Sequence, residues 1–126
     1  MPERLFSWVT PIQCAAVSHV KKALADIDLD PANNPWLPFR ELPMVHFASL
    51  TLFPDKAGDR AATLVFENNI DQPDDHYVRE LVRVGRAGLD LIYGGCEGYP
   101  HSDAPASAVI DFLSGFEKRP QLYHIG

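Results

Sequence analysis

His46 is the residue whose type and setting most clearly raise a chemical question. It lies in the run LPMVHFASLTLFP, residues 42–54, where it is the only ionisable side chain among apolar or small neighbours. An imidazole in such a strand can act as a general base, a proton donor or a metal ligand, because its pKa is close to neutral pH. The alternative is a structural histidine, bonded to a neighbouring loop carbonyl. The sequence leaves both hypotheses for His46 open.

A second group of reactive side chains lies in the segment GGCEGYPHSD, residues 94–103. Its glycines permit a close approach of the backbone to a ligand. Cys96 is a candidate nucleophile with His101 as its base, and Glu97 is a candidate for the rim of a ligand site. The alternative is a turn-rich loop with no chemical role.

Asp74, Asp75 and His76 resemble a metal cluster in composition only. Consecutive residues of a helix point in different directions, so these three cannot converge on one ion. Their position in a first helical turn is explained by the positive end of the helix dipole. We therefore predict no metal site, and the sequence also lacks the glycine-rich motifs that bind phosphate.

The composition restricts the classes of partner. The chain has 126 residues, a net charge of −6 and 46% hydrophobic residues, which predicts a single domain over residues 1–126. Nucleic-acid and anionic membrane surfaces need clustered lysine and arginine, and no apolar run is long enough to span a membrane, so neither partner is expected. Two cysteines without a CxxC spacing and no signal peptide predict a cytoplasmic protein.

The pattern of apolar residues predicts an alternation of strands and helices. A period of two marks strands, and the stripe of Val17, Val20, Leu24 and Ile27 marks a helix that ends before Pro31. A second helix is predicted from an N-cap at Asp71 to a C-terminal Gly88. The predicted strands cover residues 5–12, 44–53, 61–67, 89–93 and 121–126, and a short helix covers residues 106–116.

Residues 31–43, PANNPWLPFRELP, carry four prolines and are predicted to form a stiff loop. Its apolar residues predict that the loop packs over the domain, although a lid over a pocket is the alternative. We expect Trp36 to be substantially buried, since a large indole is costly to leave in water.

The order of elements predicts an α+β fold of the ferredoxin-like βαββαβ type, followed by a C-terminal helix and strand. Simple alternation in the strand 44–53 places His46 on one face with Met44, Ala48, Leu50 and Leu52. The other face is also apolar, with Phe47 and Phe53. Helices can cover only one face of such a sheet, so the other face needs a partner.

This arrangement resembles the dimeric α+β barrel superfamily, in which two ferredoxin-like sheets pack face to face. The resemblance covers nearly the whole chain in element order, including the tail from Ala106 to Ile125. It implies a homodimer. The superfamily includes monooxygenases, chlorite dismutases, lactone isomerases and stress-induced proteins, but GGCEGYP does not match the GxxDG motif of its haem peroxidases, so the cofactor stays unknown.

Two functions follow as expectations. The first is an oxidoreductase or isomerase that binds an apolar small molecule between sheet and helices, with His46 as the catalytic group. Its walls would be Trp8, Phe66 and Tyr93, with Cys96 or Glu97 at the rim. The second is a non-catalytic self-association or binding domain, which could be part of a larger protein.

Overall fold

The structure is a computed structural model that describes residues 3–30, 33–54, 62–71 and 73–119. Four strands, three helices and two short 3₁₀ turns, Cys14–Ala16 and Phe39–Glu41, make up the described part of the chain. In chain order the strands and helices are β1 (Glu3–Ile12), α1 (Val17–Asp28), β2 (Val45–Pro54), β3 (Ala62–Asp71), α2 (Asp74–Tyr93), α3 (Ala106–Ser114) and β4 (Glu117–Lys118).

The strands form one antiparallel sheet in the order β2-β3-β1-β4. β1 pairs with β3 over ten residues, and β4 adds a two-residue pairing on the other side of β1. The predicted α+β class is confirmed, and this strand order is compatible with a ferredoxin-like fold. β2 is an edge strand of the sheet, since β3 is its only neighbour among the described strands.

The hydrophobic core lies between one face of the sheet and the helices. β3 along its whole length, and β1 from Phe6 onward, alternate between buried and more exposed residues, so every second side chain of these stretches enters the core. From the sheet the core receives Phe6, Trp8, Ile12, Leu64, Phe66 and Ile70, and from the helices it receives Val20, Ile27, Tyr77, Leu81, Leu89, Ile92 and Val109. The opposite face of the sheet carries no helix from the described residues.

The predicted end of α2 at Gly88 and the predicted strand 89–93 are wrong. The helix continues to Tyr93, because Leu89 and Ile92 extend its buried stripe. Gly88 serves a close approach inside the helix instead of ending it. A Cβ at this position would lie 2.3 Å from the Trp36 carbonyl oxygen, so only glycine lets the proline-rich loop rest on α2.

The described part of that loop, residues 33–43, is held by the buried side chain of Asn34. Asn34 Oδ1 accepts hydrogen bonds from the backbone N–H groups of Trp36 and Leu37 at 2.9 and 2.7 Å. Leu37 and Leu42 are fully buried, and Trp36 is partly buried against the core. The loop therefore packs over the domain, as the first of the two alternatives predicted.

Other predicted boundaries differ at the ends of elements. β3 runs to Asp71, so Asp71 is a strand residue and not an N-cap, and Pro73 precedes the first residue of α2. Asp74 and Asp75 do occupy the first turn of α2. α3 ends at Ser114. The strand predicted at residues 121–126 lies outside the described residues.

Candidate functional site

The face of the sheet opposite the helices, called here the open face, exposes large apolar side chains. Leu5, Phe47 and Phe53 are 47%, 56% and 54% exposed. The pairing places them in ordered rows across the strands, because directly opposed residues of antiparallel strands point to the same face. Phe47 and Leu5 both lie opposite Asn69, and the next row joins Ser49, Glu67, Ser7 and Lys118.

A hollow of about 420 Å³ lies on the open face and extends from β2 to β4. Its lining combines apolar side chains with a central polar row. The open-face residues that line it are Leu5, Ser7, Val9, Phe47, Val65, Glu67, Asn69 and Lys118. The volume falls within the range of small-molecule pockets.

Two polar groups define the floor of this hollow. Ser49 Oγ donates a hydrogen bond to Glu67 Oε1 at 3.1 Å. Asn69 Oδ1 is buried and has no hydrogen-bond partner within the described part of the chain. An unpaired buried acceptor is costly, so the Asn69 amide is a feature of the open face that packing alone does not explain.

His46 does not share a face with Ala48, Leu50 and Leu52 as simple alternation predicted. The pairing of β2 with β3 shifts between Val45, which lies opposite Ile70, and Phe47, which lies opposite Asn69. His46 is the extra residue at this irregularity, which has the form of a β-bulge. The bulge changes the alternation, and a period-of-two reading could not reveal it.

The His46 ring pairs with a carboxylate at the end of the sheet. His46 Nε2 lies 2.7 Å from Asp71 Oδ1, and both side chains are nearly half exposed. The hydrogen bond to Asp71, and then the negative charge of Asp71, raise the pKa of His46 above its ordinary value, and Glu3 adds to this in a minor way. A paired imidazole of this kind stays accessible for proton transfer.

The predicted walls of a pocket between sheet and helices lie in the core. Trp8, Phe66 and Tyr93 are fully buried, and the Trp8 and Phe66 rings meet edge to face with centroids 5.0 Å apart. Tyr93 packs between Tyr99 and Phe112 near the end of α2. The structure thus separates these three residues from His46 and from the open face.

The residues of the 94–103 loop are also separated from one another. The Cys96 side chain is buried, and this burial raises the pKa of its thiol, which disfavours the nucleophilic thiolate. Glu97 is exposed and accepts a hydrogen bond from Gln13 Nε2 at 3.1 Å. Within the described residues, no hydrogen bond or ion pair joins Cys96 to His101.

Asp74 and Asp75 pair with arginines. Asp74 contacts Arg119 at 2.5 Å, and the hydrogen bond from Arg119 lowers the pKa of Asp74. Asp75 contacts Arg79 at 3.2 Å, one helical turn away. Among the residues that the structure describes, no group of three or more acidic, histidine or cysteine side chains is placed to hold a metal ion.

The sequence did not single out most of the residues around the open-face hollow. Leu5, Val9, Val65 and Asn69 occupy the alternate strand positions that face away from the helices. The sequence feature that pointed to this surface was the apolar character of both faces of the predicted sheet. That feature identifies a face of the sheet but does not identify individual residues on it. Asn69 lies inside β3, beyond the end of the strand that was predicted at residues 61–67.

Comparisons with protein families, with curated protein sequences and with solved structures gave no match for this chain. None of the helices in the described ranges is long and apolar enough to cross a membrane.

Proposed function

We propose that this chain is a self-association domain whose open sheet face is covered by a second copy of the chain. The observation that carries the proposal is the exposure of Leu5, Phe47 and Phe53 on one face of one sheet. Several large apolar side chains exposed on one face are typical of an interaction site, whereas single scattered ones are not.

The size of the face supports a partner of similar dimensions. β1, β2 and β3 have ten residues each. Such strands extend about 33 Å, and three neighbouring strands span roughly 14 Å, so the three long strands cover roughly 460 Å² of the face in projection. A stable interface buries about 800 Å² of accessible surface per partner, and a corrugated sheet face of this projection has accessible area of that order.

A second copy also matches the face chemically. An isologous interface brings the same patch of both chains together, so the apolar rows of one sheet can cover those of the other. The central row carries both Glu67 and Lys118, so it offers charges of both signs to the same row of the partner. Both phenylalanines are already nearly half covered in the single chain, so burial of the remainder of each stabilises the assembly by about 0.8–1.7 kcal/mol before the costs of association.

Sedimentation of two matched variants tests this proposal. Leu5→Lys places a charge on the open face, and Leu29→Lys makes the same change at a residue that is 86% exposed beyond the end of α1. We expect Leu5→Lys to reduce the mass of the assembly at micromolar concentration and Leu29→Lys to leave it unchanged. A wild-type chain that sediments as a stable monomer at this concentration contradicts the proposal.

A small-molecule site is the second candidate function, favoured by the hollow on the open face and by the His46–Asp71 pair at the end of the same sheet. A second sheet would enclose the hollow, and the enclosed space would receive an apolar molecule with a polar group directed at Asn69. His46 would supply acid–base catalysis at the rim, as isomerase or oxidative chemistry requires.

Amide NMR shifts during a screen of small apolar molecules test this second candidate. We expect saturable shifts at Val65 and Asn69, and we expect Val65→Trp, which fills the hollow, to abolish them. Leu29→Lys should leave them intact. Equal shifts in wild type and Val65→Trp would place binding elsewhere and overturn this candidate.

A further inference from the structure

The free edge of β2 lacks the features that normally prevent strands of different molecules from pairing. Exposed edges are usually protected by charged side chains, prolines or bulges. Between Phe47 and Phe53 the strand reads FASLTLF and carries none of these. The protective features lie just outside this stretch, with the bulge at His46 on one side and Pro54 on the other.

The same seven residues form a palindrome of residue classes about Leu50. Phe47 corresponds to Phe53, Ser49 corresponds to Thr51, and the apolar Ala48 corresponds to the apolar Leu52. In an antiparallel pair of identical strands centred on one residue, each position faces its palindromic counterpart in the other strand. A palindrome of this kind is therefore self-complementary in antiparallel pairing centred on Leu50.

We propose that β2 pairs antiparallel with β2 of a second copy, with a two-fold axis that passes between the two opposed Leu50 residues, perpendicular to the sheet. The pairing joins two four-stranded sheets into one sheet of eight strands. Residues 47–53 of each chain take part. The next opposed position would set Pro54 against the bulged His46, so the pairing ends where both chains stop offering regular edge geometry.

On the open face, this register gives the exposed phenylalanines a partner. Phe47 lies opposite Phe53 of the second copy, and Ser49 lies opposite Thr51. Directly opposed side chains of antiparallel strands have Cβ atoms about 4.5–5.5 Å apart, close enough for aromatic contact and for a hydroxyl hydrogen bond. Both phenylalanines are more than half exposed in the single chain, so the register uses surface that is not otherwise covered.

On the helix side, a groove lies beside the edge of β2. One hollow of about 490 Å³ is lined by Leu24 and Ile27 of α1 together with Ala48 and Leu50. A second hollow shares Phe39 and Ala48 with it, so the groove continues along the edge towards His46. The lining of the groove also includes Asp28 and, towards His46, Arg40. The register places Leu50 and Leu52 of the second copy at the apolar part of the groove, which would cover the partly exposed Leu50 of the first chain.

This interface is distinct from the one in the proposed function, because it uses the edge of the sheet and not its open face. Edge pairing leaves both open faces on the same side of the eight-stranded sheet. Two such sheets can then stack through their open faces, so the two interfaces together predict an assembly of four chains.

Disulfide trapping tests the edge register. In a Cys14→Ser background, which removes the exposed native thiol and keeps the buried Cys96, the double variant Ser49→Cys/Thr51→Cys places two cysteines opposite each other across the proposed axis. The Cβ atoms of the two cysteines in one chain lie about 6–7 Å apart along the strand, whereas a disulfide needs about 3.5–4.5 Å between Cβ atoms, so no disulfide forms within the chain. Two controls are Ser49→Cys alone, which faces Thr51 of the second copy, and Ser7→Cys on the central strand β1.

We expect the double variant to form covalent dimers at least about tenfold faster than either control, because only its cysteines are directly opposed at disulfide distance. Adding Leu5→Lys should leave this rate unchanged. Equal rates in all three variants, or a faster reaction of Ser7→Cys, overturn the proposal. If the sheets do not associate face to face, Leu5→Lys will leave the mass of the assembly unchanged. Disulfide trapping through the β2 edge will then proceed at the same rate, so the two proposals fail independently.

Discussion

The His46–Asp71 pair is the feature of single residues that departs most from what the sequence suggested. A catalytic His46 was expected at a site between the sheet and the helices, and a structural one was expected to bond a neighbouring loop carbonyl. The ring is instead half exposed and bonded to a carboxylate. A bulge that brings His46 to Asp71 explains why neither description fits.

The first prediction concerns the titration of this pair. The raised pKa means that folding favours protonated His46, so the pair stabilises the fold fully below the ordinary value of 6.5, and this stabilisation is lost as the pH rises through the raised pKa. We expect a midpoint above 6.5 for His46 in an NMR titration, and a lower midpoint in Asp71→Asn. A wild-type midpoint at or below 6.5 would show that the pair does not form in solution.

The second prediction compares two buried tyrosines. Tyr77 donates a 2.6 Å hydrogen bond to Asn68 Oδ1, whereas the Tyr93 hydroxyl faces Thr10 but makes no hydrogen bond of good geometry with the described residues. Tyr77→Phe leaves the buried amide oxygen of Asn68 unpaired and should lower the free energy of unfolding by about 1–3 kcal/mol. Tyr93→Phe should cost much less. Urea denaturation measures both, and equal losses contradict the assignment.

Among the elements, the contact between α2 and the proline-rich loop carries the third prediction. Gly88→Ala would bring a methyl group to 2.3 Å from the Trp36 carbonyl oxygen, so the loop must move. We expect a loss of about 1–3 kcal/mol in the free energy of unfolding, as for other overpacked sites, together with a shift in Trp36 fluorescence.

Gly115→Ala is the matched control for this change. Gly115 has a helical φ of −66°, and a Cβ there would come no closer than 3.5 Å to another heavy atom outside its immediate neighbourhood. It should be nearly neutral. If Gly88→Ala is as mild as the control, the loop does not rest on α2 in solution.

The elements also show how far the sequence could predict this fold. The periodicity of apolar residues predicted the bounds of α1 and β2 and the start of β3 to within one or two residues. Each of these elements buries one side, and burial of one side produces the period that the sequence shows. The prediction that α2 ends at Gly88 was wrong, because the local sequence does not distinguish a glycine that permits a close contact inside a helix from one that ends a helix. The bulge at His46 arises from pairing with β3, and no local pattern in β2 encodes it.

At the scale of the whole molecule, both proposals of self-association rest on surfaces of the sheet that the described residues leave exposed. The polar row through Glu67 and Ser7 divides the open face, so its apolar parts lie on either side of a hollow and do not form one continuous core. The two-sided apolar pattern of β2 was visible in the sequence. The division by the polar row was not, because it depends on the register of three strands.

The last prediction follows from the linkage between assembly and folding. If unfolding separates the chains, mass action makes the melting temperature depend on protein concentration. A 100-fold increase in concentration should raise the Tm of the wild-type chain by about 3–6 °C, as expected for a domain of this size. Leu29→Lys should show the same dependence, and Leu5→Lys should show a smaller one, because it retains only the association through the β2 edge.

Calorimetry at two concentrations measures the effect. A Tm independent of concentration in the wild-type chain would mean that both surfaces stay exposed in solution, and the same slope in Leu5→Lys would restrict assembly to the edge.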